Sequence, residues 1–563
     1  MKRGWYRVFG CVVGIGVAIA AVMAADLLPE KKSDDKALGR NMEIMLNVMR
    51  EVSTSYVDEV SSDKMVADAT AGMLSKLDPY TEYIPESEME GFELLSTGKY
   101  GGIGATIRMR RDSSVVIAQP YRGTPSDKAG LKIGDKFVKI DGEDVSKYSI
   151  SEISSRLKGT PGTTVKLVME RVMTGEEEEV ELTRARIAIP GVPYAGYLEE
   201  GVGYIVHNDF TEGCYAEMRQ AISRLQQQGE LKSLVLDYRN NGGGSLAEAV
   251  DILSLFLPVG EEVVTMKGRA PHSTRVFKTK NAPMLEDIPL VVLINENSAS
   301  AAEIVSGVLQ DLDRAVVVGE RSYGKGLVQT VMSVGYNSSL KLTTAKYYIP
   351  SGRCVQRINY SAHDGKTVEN IPDSLIQEFK TRNGRKVYDG KGVMPDVKIE
   401  PEYISTFAAV LYNMGYIEDF LDGYVRRNPE MEVDSRTFSI SDADYESFVE
   451  YMADKDVPYE SRTRLALELL VKSAEDERFK GDVSEEIEQL KAKLKDSKED
   501  NLRRYRQEIE DLLVSDVILR HNYYEGVLEH ATVEDKAVAE AVALLHDEER
   551  YATILREQDT EKN

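Results

Sequence analysis

Apolar residues recur at three- and four-residue steps through Met42, Met45, Leu46, Met49, Val52 and Tyr56, and again through Met65, Val66, Ala69, Met73 and Leu77. That spacing predicts two amphipathic helices whose apolar stripes serve packing, and which could contribute to a dimer interface. Asp78-Pro79 is expected to end the second, because proline disfavours helix at the residue before it. From about Ser96 to Arg186 the period changes. Val115-Val116-Ile117-Ala118, Phe137-Val138-Lys139-Ile140, Val165-Lys166-Leu167-Val168 and Val180-Glu181-Leu182 are short apolar runs separated by turns rich in Gly, Pro and Asp. They predict a small β-rich domain, interrupted by a short helix carrying Ile150, Ile153 and Leu157. Between about Gly196 and Pro401, strand-like runs lead into helical ones. Ser233-Leu234-Val235-Leu236-Asp237 precedes a helix through Leu246, Val250, Leu253 and Leu257, and Pro289 to Ile294 precedes a helix opened by Ser300-Ala301-Ala302-Glu303-Ile304. Residues 402–563 read as charged and helical, as in Val483-Ser484-Glu485-Glu486-Ile487-Glu488-Gln489-Leu490-Lys491. Such helices usually present solvated faces; a role in assembly or in clamping a substrate is the sharper alternative. The pattern divides the chain into an N-terminal helical segment (26–95), a β-rich domain (96–186), an α/β core (187–401) and a helical C-terminal region (402–563), a multidomain α+β architecture.

Composition narrows the function classes. A chain of 563 residues that is 42% hydrophobic is too long for one core and too apolar to be mostly disordered. With 94 acidic against 70 basic residues, the net charge is −24. A polyphosphate backbone would be repelled, so nucleic acid is not an expected partner. Cys11, Cys214 and Cys354 show no paired spacing, and the six histidines form no ligand pattern, so neither a metal, another cofactor nor a disulfide framework is expected.

Lys2, Arg3 and Arg7 precede an uncharged run from Val8 to Ala25 that ends in small residues before Asp26. This is the layout of an export signal over residues 1–25. Eighteen uncharged residues can just span a bilayer, so an uncleaved anchor is the rival; the Ala-rich end favours cleavage. Lipidation at Cys11 is rejected, since the apolar run follows the cysteine instead of preceding it.

Candidate chemistry concentrates in the α/β core. The strand ending at Asp237 runs into Tyr238-Arg239-Asn240-Asn241-Gly242-Gly243-Gly244, a glycine-rich turn that exposes amide donors. A serine at a helix start is most often only a cap, but Ser298 and Ser300 stand two apart, so one can cap while the other faces a cleft. A Ser-His-Asp scheme of the α/β-hydrolase type lacks its Gly-x-Ser-x-Gly elbow, and His363 and His521 lie in polar or tail segments. Lys325, flanked by Gly324 and Gly326, follows Ser300 downstream. A lysine acts as a base only when neutral. Its pKa would have to fall from about 10.4 to about 7, costing about 4 kcal/mol, which desolvation in a closed cleft can supply. Lysine on a glycine turn is nevertheless more often plain surface charge. Gly319-x-x-x-x-Gly324-Lys325 imitates a phosphate-binding loop, but Gly326 replaces the required Ser or Thr and Glu320 would lie among the phosphates. Gly102-Ile103-Gly104 fails as a dinucleotide loop because Ile107 stands where the third glycine belongs.

Gly101-Gly102-Ile103-Gly104, Ala129-Gly130-Leu131-Lys132-Ile133-Gly134-Asp135 and Ile140-Asp141-Gly142 together resemble a PDZ domain, which adds an extended C-terminal peptide to a sheet edge. Its carboxylate would be received by the loop Tyr100, Gly101, Gly102, Ile103 and Gly104, where glycine lets amides converge on one anion. Taken in order with the export signal, Leu77-Asp78-Pro79, Asp237-x-Arg239-Asn240-Asn241-Gly-Gly, Ser298-Ala299-Ser300-Ala301-Ala302-Glu303, Tyr323-Gly324-Lys325-Gly326-x-x-Gln329, Leu342 to Arg353 and Gly392-x-x-Pro395-Asp396, these motifs resemble the C-terminal processing, or tail-specific, serine peptidases over residues 40 to about 400.

The resemblance implies an α/β core related to the crotonase fold, with Ser300 as nucleophile and Lys325 as general base. Gln329 would orient that base, lying on the lysine's own face if the stretch is helical. Glu303 matches a supporting acidic residue, and the amides of Ala301 and of either Gly242 or Gly243 would form the oxyanion hole. It further implies an endopeptidase of the bacterial periplasm or cell envelope, acting near the C-termini of unfolded or tail-exposed proteins, with a homodimer and an activating adaptor as admissible partners. Tyr80 stands where many relatives have histidine, and Cys354 where serine is frequent. Two alternatives stay open: a non-catalytic PDZ scaffold, opposed by the joint presence of Ser300, Lys325 and Gln329, and an acyl-CoA enzyme, which would leave the PDZ segment and the export signal unexplained.

Overall fold

The computed structural model describes residues 34–269, 273–360, 369–494 and 497–556; the export-signal reading, Cys11 and His363 lie outside them. The chain begins with helices α1 (Asp34–Ser55) and α2 (Ser62–Leu74). The second stops at Leu74, before Asp78-Pro79, with Ser61 capping its start. Their apolar stripes are packed only in part: Met49, Val52, Met65, Val66 and Ala69 are half-buried, while Leu38, Met42, Met45, Leu46, Val48 and Met73 are exposed. The packing expected from the pattern is therefore partial, and among the described residues the outward face of α1 has nothing over it. Strand β1 (Glu82–Ile84) and helix α3 (Met89–Thr97) follow.

A six-stranded sheet comes next. It is built from β3 (Ala105–Met109), β4 (Val115–Pro120), β5 (Lys136–Ile140), β6 (Glu143–Asp144), β7 (Thr164–Glu170) and β8 (Glu177–Thr183), with β3 at one edge. Its entry and exit, β2 (Lys99–Gly102) and β9 (Ala185–Ala188), pair antiparallel with each other. Alternate residues of the strands turn inward, so Val115, Ile117, Phe137, Ile140, Val165, Leu167, Met169 and Leu182 form one core. Helix α5 (Ile150–Leu157) closes that core with Ile153 and Leu157, its start fixed by a capping box between Ser149 and Glu152. A further helical turn, α4 (Pro125–Lys128), which the periodicity missed, begins on a proline at its first position.

The central layer is a sheet of order β10 (Tyr194–Glu199), β11 (Val202–Val206), β12 (Ser233–Asp237), β15 (Leu290–Ile294), β16 (Val316–Gly319) and β19 (Val397–Lys398). All pairs but the first are parallel. Parallel strands need covering on both faces, and every residue of β11, β12, β15 and β16 is buried. Helices α6 (Cys214–Gln228), α7 (Leu246–Leu253) and α8 (Ala301–Asp311) cover one face. The other is covered from the far end of the chain, by α16 (Lys536–His546) through Ala537, Val538, Ala541 and Leu544. A second sheet places β13 (Glu262–Gly268) and β14 (Arg275–Lys278) beside the hairpin of β17 (Leu327–Gly335) and β18 (Ser338–Tyr348). Tyr336 and Asn337, at φ 48° and 53°, form its two-residue turn, in the conformation that matches strand twist. Strand β1 joins this sheet by pairing Glu82 with Lys341, so the N-terminal segment is stitched to the core.

The C-terminal region is α-helical, from α9 (Thr406–Asn413) and α10 (Tyr416–Arg427) through α11 (Asp442–Met452), α12 (Arg462–Asp476), α13 (Lys480–Lys493), α14 (Lys498–Arg504), α15 (Arg506–His530) and α16 to α17 (Glu548–Ile554). Solvated faces are only part of its character. Phe407, Leu411, Ile417, Phe420, Tyr445, Phe448, Ile509 and Leu513 form a core of their own, and fully burying Val538 and Leu544 against the central sheet adds about 1.5–3 kcal/mol each. Acidic residues of α10 meet arginines of the β3–β4 hairpin: Arg111 contacts Asp419 at 2.6 Å, Arg108 pairs with Glu418 and Arg110 with Asp422.

Candidate active site

The carboxyl ends of β12 and β15, adjacent in the parallel sheet, deliver two loops to one place, the usual position for a site in such a sheet. The loop after β15 is held from within. Ser298 Oγ donates to the Tyr238 carbonyl at 2.8 Å and accepts the Asn295 N–H at 2.9 Å, while the Ala299 N–H donates to the Asn241 carbonyl at 2.9 Å. Ser298 thus fastens the turn, and Ser300 occupies the position just before α8 with φ 55° and ψ −113°. A non-glycine residue costs about 1–3 kcal/mol in such a conformation and needs surroundings that impose it.

Glu303, one turn into α8 and fully buried, supplies much of that constraint. Its Oε2 accepts the N–H of Ser300 at 2.9 Å and of Lys325 at 2.8 Å; its Oε1 accepts the N–H of Gly324 at 2.7 Å and the Ser322 hydroxyl. Burial pushes its pKa up, and these donors oppose the rise. The Tyr347 hydroxyl adds a second tie, donating to the Lys325 carbonyl at 2.6 Å and to that of Ser300 at 3.2 Å. Ser300 and Lys325 are therefore brought together through shared main-chain partners.

The Lys325 side chain is partly buried, and desolvation, followed by the charge of Lys341, pulls its pKa below the usual lysine value; Glu303, Asp78 and Glu82 act in the opposite sense. Its Nζ lies 4.3 Å from the centroid of the Tyr80 ring. Among the described residues no hydrogen bond joins Lys325 Nζ to Ser300 Oγ. Gln329 lies in β17, not in a helix: the run Leu327-Val328-Gln329-Thr330-Val331 pairs with β18 and has the β-branched character of a strand. Its Nε2 donates to Thr343 Oγ1 at 3.1 Å, and Thr343 donates on to Asp78 at 3.2 Å. Asp78 also accepts the Tyr80 N–H at 2.9 Å and the Thr81 hydroxyl at 3.0 Å. Gln329 thus reaches the turn that carries Tyr80.

The glycine turn after β12 closes against Ser300. A Cβ on Gly243, which has φ +99°, would lie 2.7 Å from Ser300 Cβ and 2.9 Å from the Ala301 nitrogen. The Gly243 N–H donates to Asn241 Oδ1 at 2.8 Å. Gly242 is exposed, with open space where a Cβ would stand. Ala301 is buried beside the serine. Behind the turn, Asp237 accepts the Tyr204 hydroxyl at 2.6 Å and Arg239 Nη2 at 2.6 Å, and Arg239 Nη1 reaches Asp535 at 2.5 Å.

In the β-rich domain, Tyr100, Gly101 and Gly102 belong to β2, while Ile103 and Gly104 are buried at the entry to β3. The Gly104 carbonyl accepts the Tyr121 N–H at 2.9 Å and the Ser126 hydroxyl at 2.7 Å. A Cβ there would stand 2.3 Å from Thr124 Cβ, so the sharp entry to β3 requires glycine. Sequence reasoning included Thr343 and Tyr347 in the motif from Leu342 to Arg353 without a role, missed Asp535, for which no local pattern exists, and noticed Tyr80 only as a departure from relatives.

Family comparisons agree with this organisation. Residues 201–363 match the model of peptidase family S41, residues 116–171 that of the PDZ domain, and residues 407–545 that described as a probable PDZ-protease C-terminal helical domain. The chain is 35% identical over 315 residues to a carboxy-terminal-processing protease of Bartonella bacilliformis, covering 55% of this chain and 72% of that one. It is 31% identical over 413 residues to a probable CtpA-like serine protease of Staphylococcus aureus, covering 71% and 78%. Among solved structures, the photosystem II D1 C-terminal processing protease is 26% identical, with 64% of this chain and 87% of that chain covered and a TM-score of 0.33. The chain belongs to peptidase family S41, as a PDZ-containing carboxy-terminal-processing serine protease.

Proposed function

We propose that the protein is an endopeptidase that cleaves other proteins near their C-termini, with Ser300 as nucleophile and Lys325 as general base. The observation that carries this reading is the Glu303 carboxylate, which accepts the main-chain N–H of both residues while Ser300 is held at φ 55°. Neutral Lys325 takes the Ser300 hydroxyl proton as Oγ attacks the peptide carbonyl, and the resulting lysinium protonates the leaving amine. Water then hydrolyses the acyl-enzyme. The Ala301 and Gly242 amides receive the oxyanion; Gly243 is less suited, since its N–H is engaged by Asn241. Glu303 supports both loops, and Gln329 acts through Thr343 and Asp78.

The β-rich domain captures the substrate tail. The edge strand β3 receives an added peptide strand, and the segment Tyr100 to Gly104, the end of β2 and the turn into β3, receives its carboxylate. Substrates are unfolded or tail-exposed proteins of the bacterial periplasm or cell envelope, reached through the export signal at residues 1–25. The exposed apolar stripes of α1 and α2 suit a homodimer, and an activating adaptor is the further partner.

The deciding experiment is proteolysis of an unfolded protein bearing a free apolar C-terminus, by the chain from Asp26 onward beside its Ser300→Ala and Lys325→Ala forms. Cleavage by the parent alone is expected, and C-terminal amidation of the substrate should weaken it. Cleavage that survives both substitutions would overturn the dyad, and failure of every form to cleave would favour a peptide-binding scaffold.

A further inference from the structure

Among the described residues, the Lys325 ammonium sits over an aromatic ring, with Nζ 4.3 Å from the Tyr80 centroid, and makes no hydrogen bond to Ser300. That distance is well inside the range in which a ring face attracts a cation. The ring is held at both ends. Its main chain is tied to Asp78, which Thr81 and Thr343 also bind. Its hydroxyl accepts from the Tyr360 hydroxyl at 3.3 Å and donates to the Tyr323 hydroxyl at 3.4 Å, while the Tyr360 ring meets it edge-on at 5.9 Å. Tyr323 itself precedes Gly324-Lys325, and its N–H is held by the Ser298 carbonyl at 3.0 Å. One clamped aromatic cluster therefore links the N-terminal segment, the loop bearing the base and the loop bearing the serine.

We propose that Tyr80 is a positioning residue for Lys325: its ring face seats the ammonium and so sets the pH at which the lysine becomes a base. This rests on Lys325 being the general base. The ring favours the charged form over the neutral one, whereas the burial around the lysine favours the neutral form. The other groups that act on the ammonium are Asp78 and Glu82 from the N-terminal segment, Lys341 from β18 and Glu303 from α8, with the Tyr323 and Tyr360 hydroxyls bound to Tyr80. At lower pH the ring holds the proton on Nζ, and the base works only once Nζ has lost it. After Nζ has taken the Ser300 proton, the same face stabilises the lysinium until it protonates the leaving amine.

The test measures the protonation of Lys325 separately from activity. In a Ser300→Ala background, the full chain is exposed to trace acetic anhydride across about pH 7 to 11, a range spanning ordinary and lowered lysine pKa values. The acetylated fraction at Lys325 is then read by mass spectrometry. Tyr80→Leu, which keeps apolar cover but removes the ring, should lower the Lys325 titration by about one pH unit, and Tyr80→Phe should leave it nearly unchanged. With Ser300 restored, the acid limb of kcat/KM should move down by the same amount in Tyr80→Leu. An unmoved Lys325 titration in Tyr80→Leu, or an equal movement in Tyr80→Phe, overturns the proposal. If the leucine form does not fold, phenylalanine and pentafluorophenylalanine at position 80 have matching shapes and opposite ring polarity, and equal titrations between them would overturn it. Activity retained by Lys325→Ala would remove the dyad reading, while the labelling curve would still report on the ring.

Discussion

The Glu303 carboxylate and the Lys325 main chain are joined by a 2.8 Å hydrogen bond, and the oxygen that accepts it also accepts the Ser300 N–H at 2.9 Å. One buried side chain thus fixes the relative placement of two loops that approach from different strands. Glu303→Gln keeps the volume but replaces one acceptor oxygen with a donor, so about half of the four bonds are lost. An unsatisfied buried donor costs about 1–3 kcal/mol. Stability should fall by about 2–4 kcal/mol and kcat by at least tenfold, with a smaller change in KM. Steady-state kinetics and urea unfolding check this, and wild-type kcat in the variant would show that the two loops do not depend on Glu303.

Gly242 and Gly243 are neighbours with opposite tolerance. A Cβ at Gly243 would meet main-chain atoms, at 2.8 Å from the Ala299 carbonyl oxygen and 2.9 Å from the Ala301 nitrogen, in a positive-φ conformation, whereas at Gly242 it meets nothing within 4 Å. Gly243→Ala should cost about 2–3 kcal/mol or more and abolish cleavage. Gly242→Ala should leave unfolding within about 1 kcal/mol of the parent. Comparable unfolding midpoints for the two variants would contradict this packing.

His207 is fully buried against Phe210 and Tyr238, and burial lowers its pKa to about 3. An unfolded chain takes up a proton at this residue near pH 6.5, which the folded chain resists until about pH 3. Folding stability contributed by the neutral ring is therefore complete above pH 6.5 and is lost as pH falls toward 3. His207→Gln removes that titration. Between pH 6.5 and 4.5 its stability should decline by about 2 kcal/mol less than the parent's, since the slope approaches 1.36 kcal/mol per pH unit below the unfolded pKa. Parallel pH profiles in urea unfolding would refute the assignment.

Asp535 does two things at once. It caps α16, accepting the N–H of Ala537 at 2.8 Å and of Val538 at 3.0 Å, and it pairs with Arg239 at 2.5 Å. Asn caps as well as Asp, so Asp535→Asn tests the ion pair alone and Asp535→Ala tests both. The alanine variant should expose α16 to hydrogen exchange by about 1 kcal/mol more than the asparagine variant does. Identical exchange in both would mean that the cap contributes nothing to docking this helix.

Much of this organisation is legible in order along the chain. The short apolar runs at Val115–Ala118, Phe137–Ile140 and Val165–Val168 fall in strands, and the apolar run before Asn295 is a central buried strand. Ser300, Glu303 and Lys325 could be picked out because each sits in a motif of near neighbours, and helix and strand periods are themselves relations between near neighbours. The exposure of Met42 and Leu46 was not readable, because an amphipathic stripe says that a face seeks a partner and not whether this chain supplies one. Nor was the strand at Gln329, whose conformation follows from pairing with β18. Tyr80 over Lys325, Asp535 on Arg239 and α16 on the central sheet join residues hundreds of positions apart. Such contacts leave no periodic trace; they exist only once packing has closed the intervening chain into loops, and tertiary structure alone decides them.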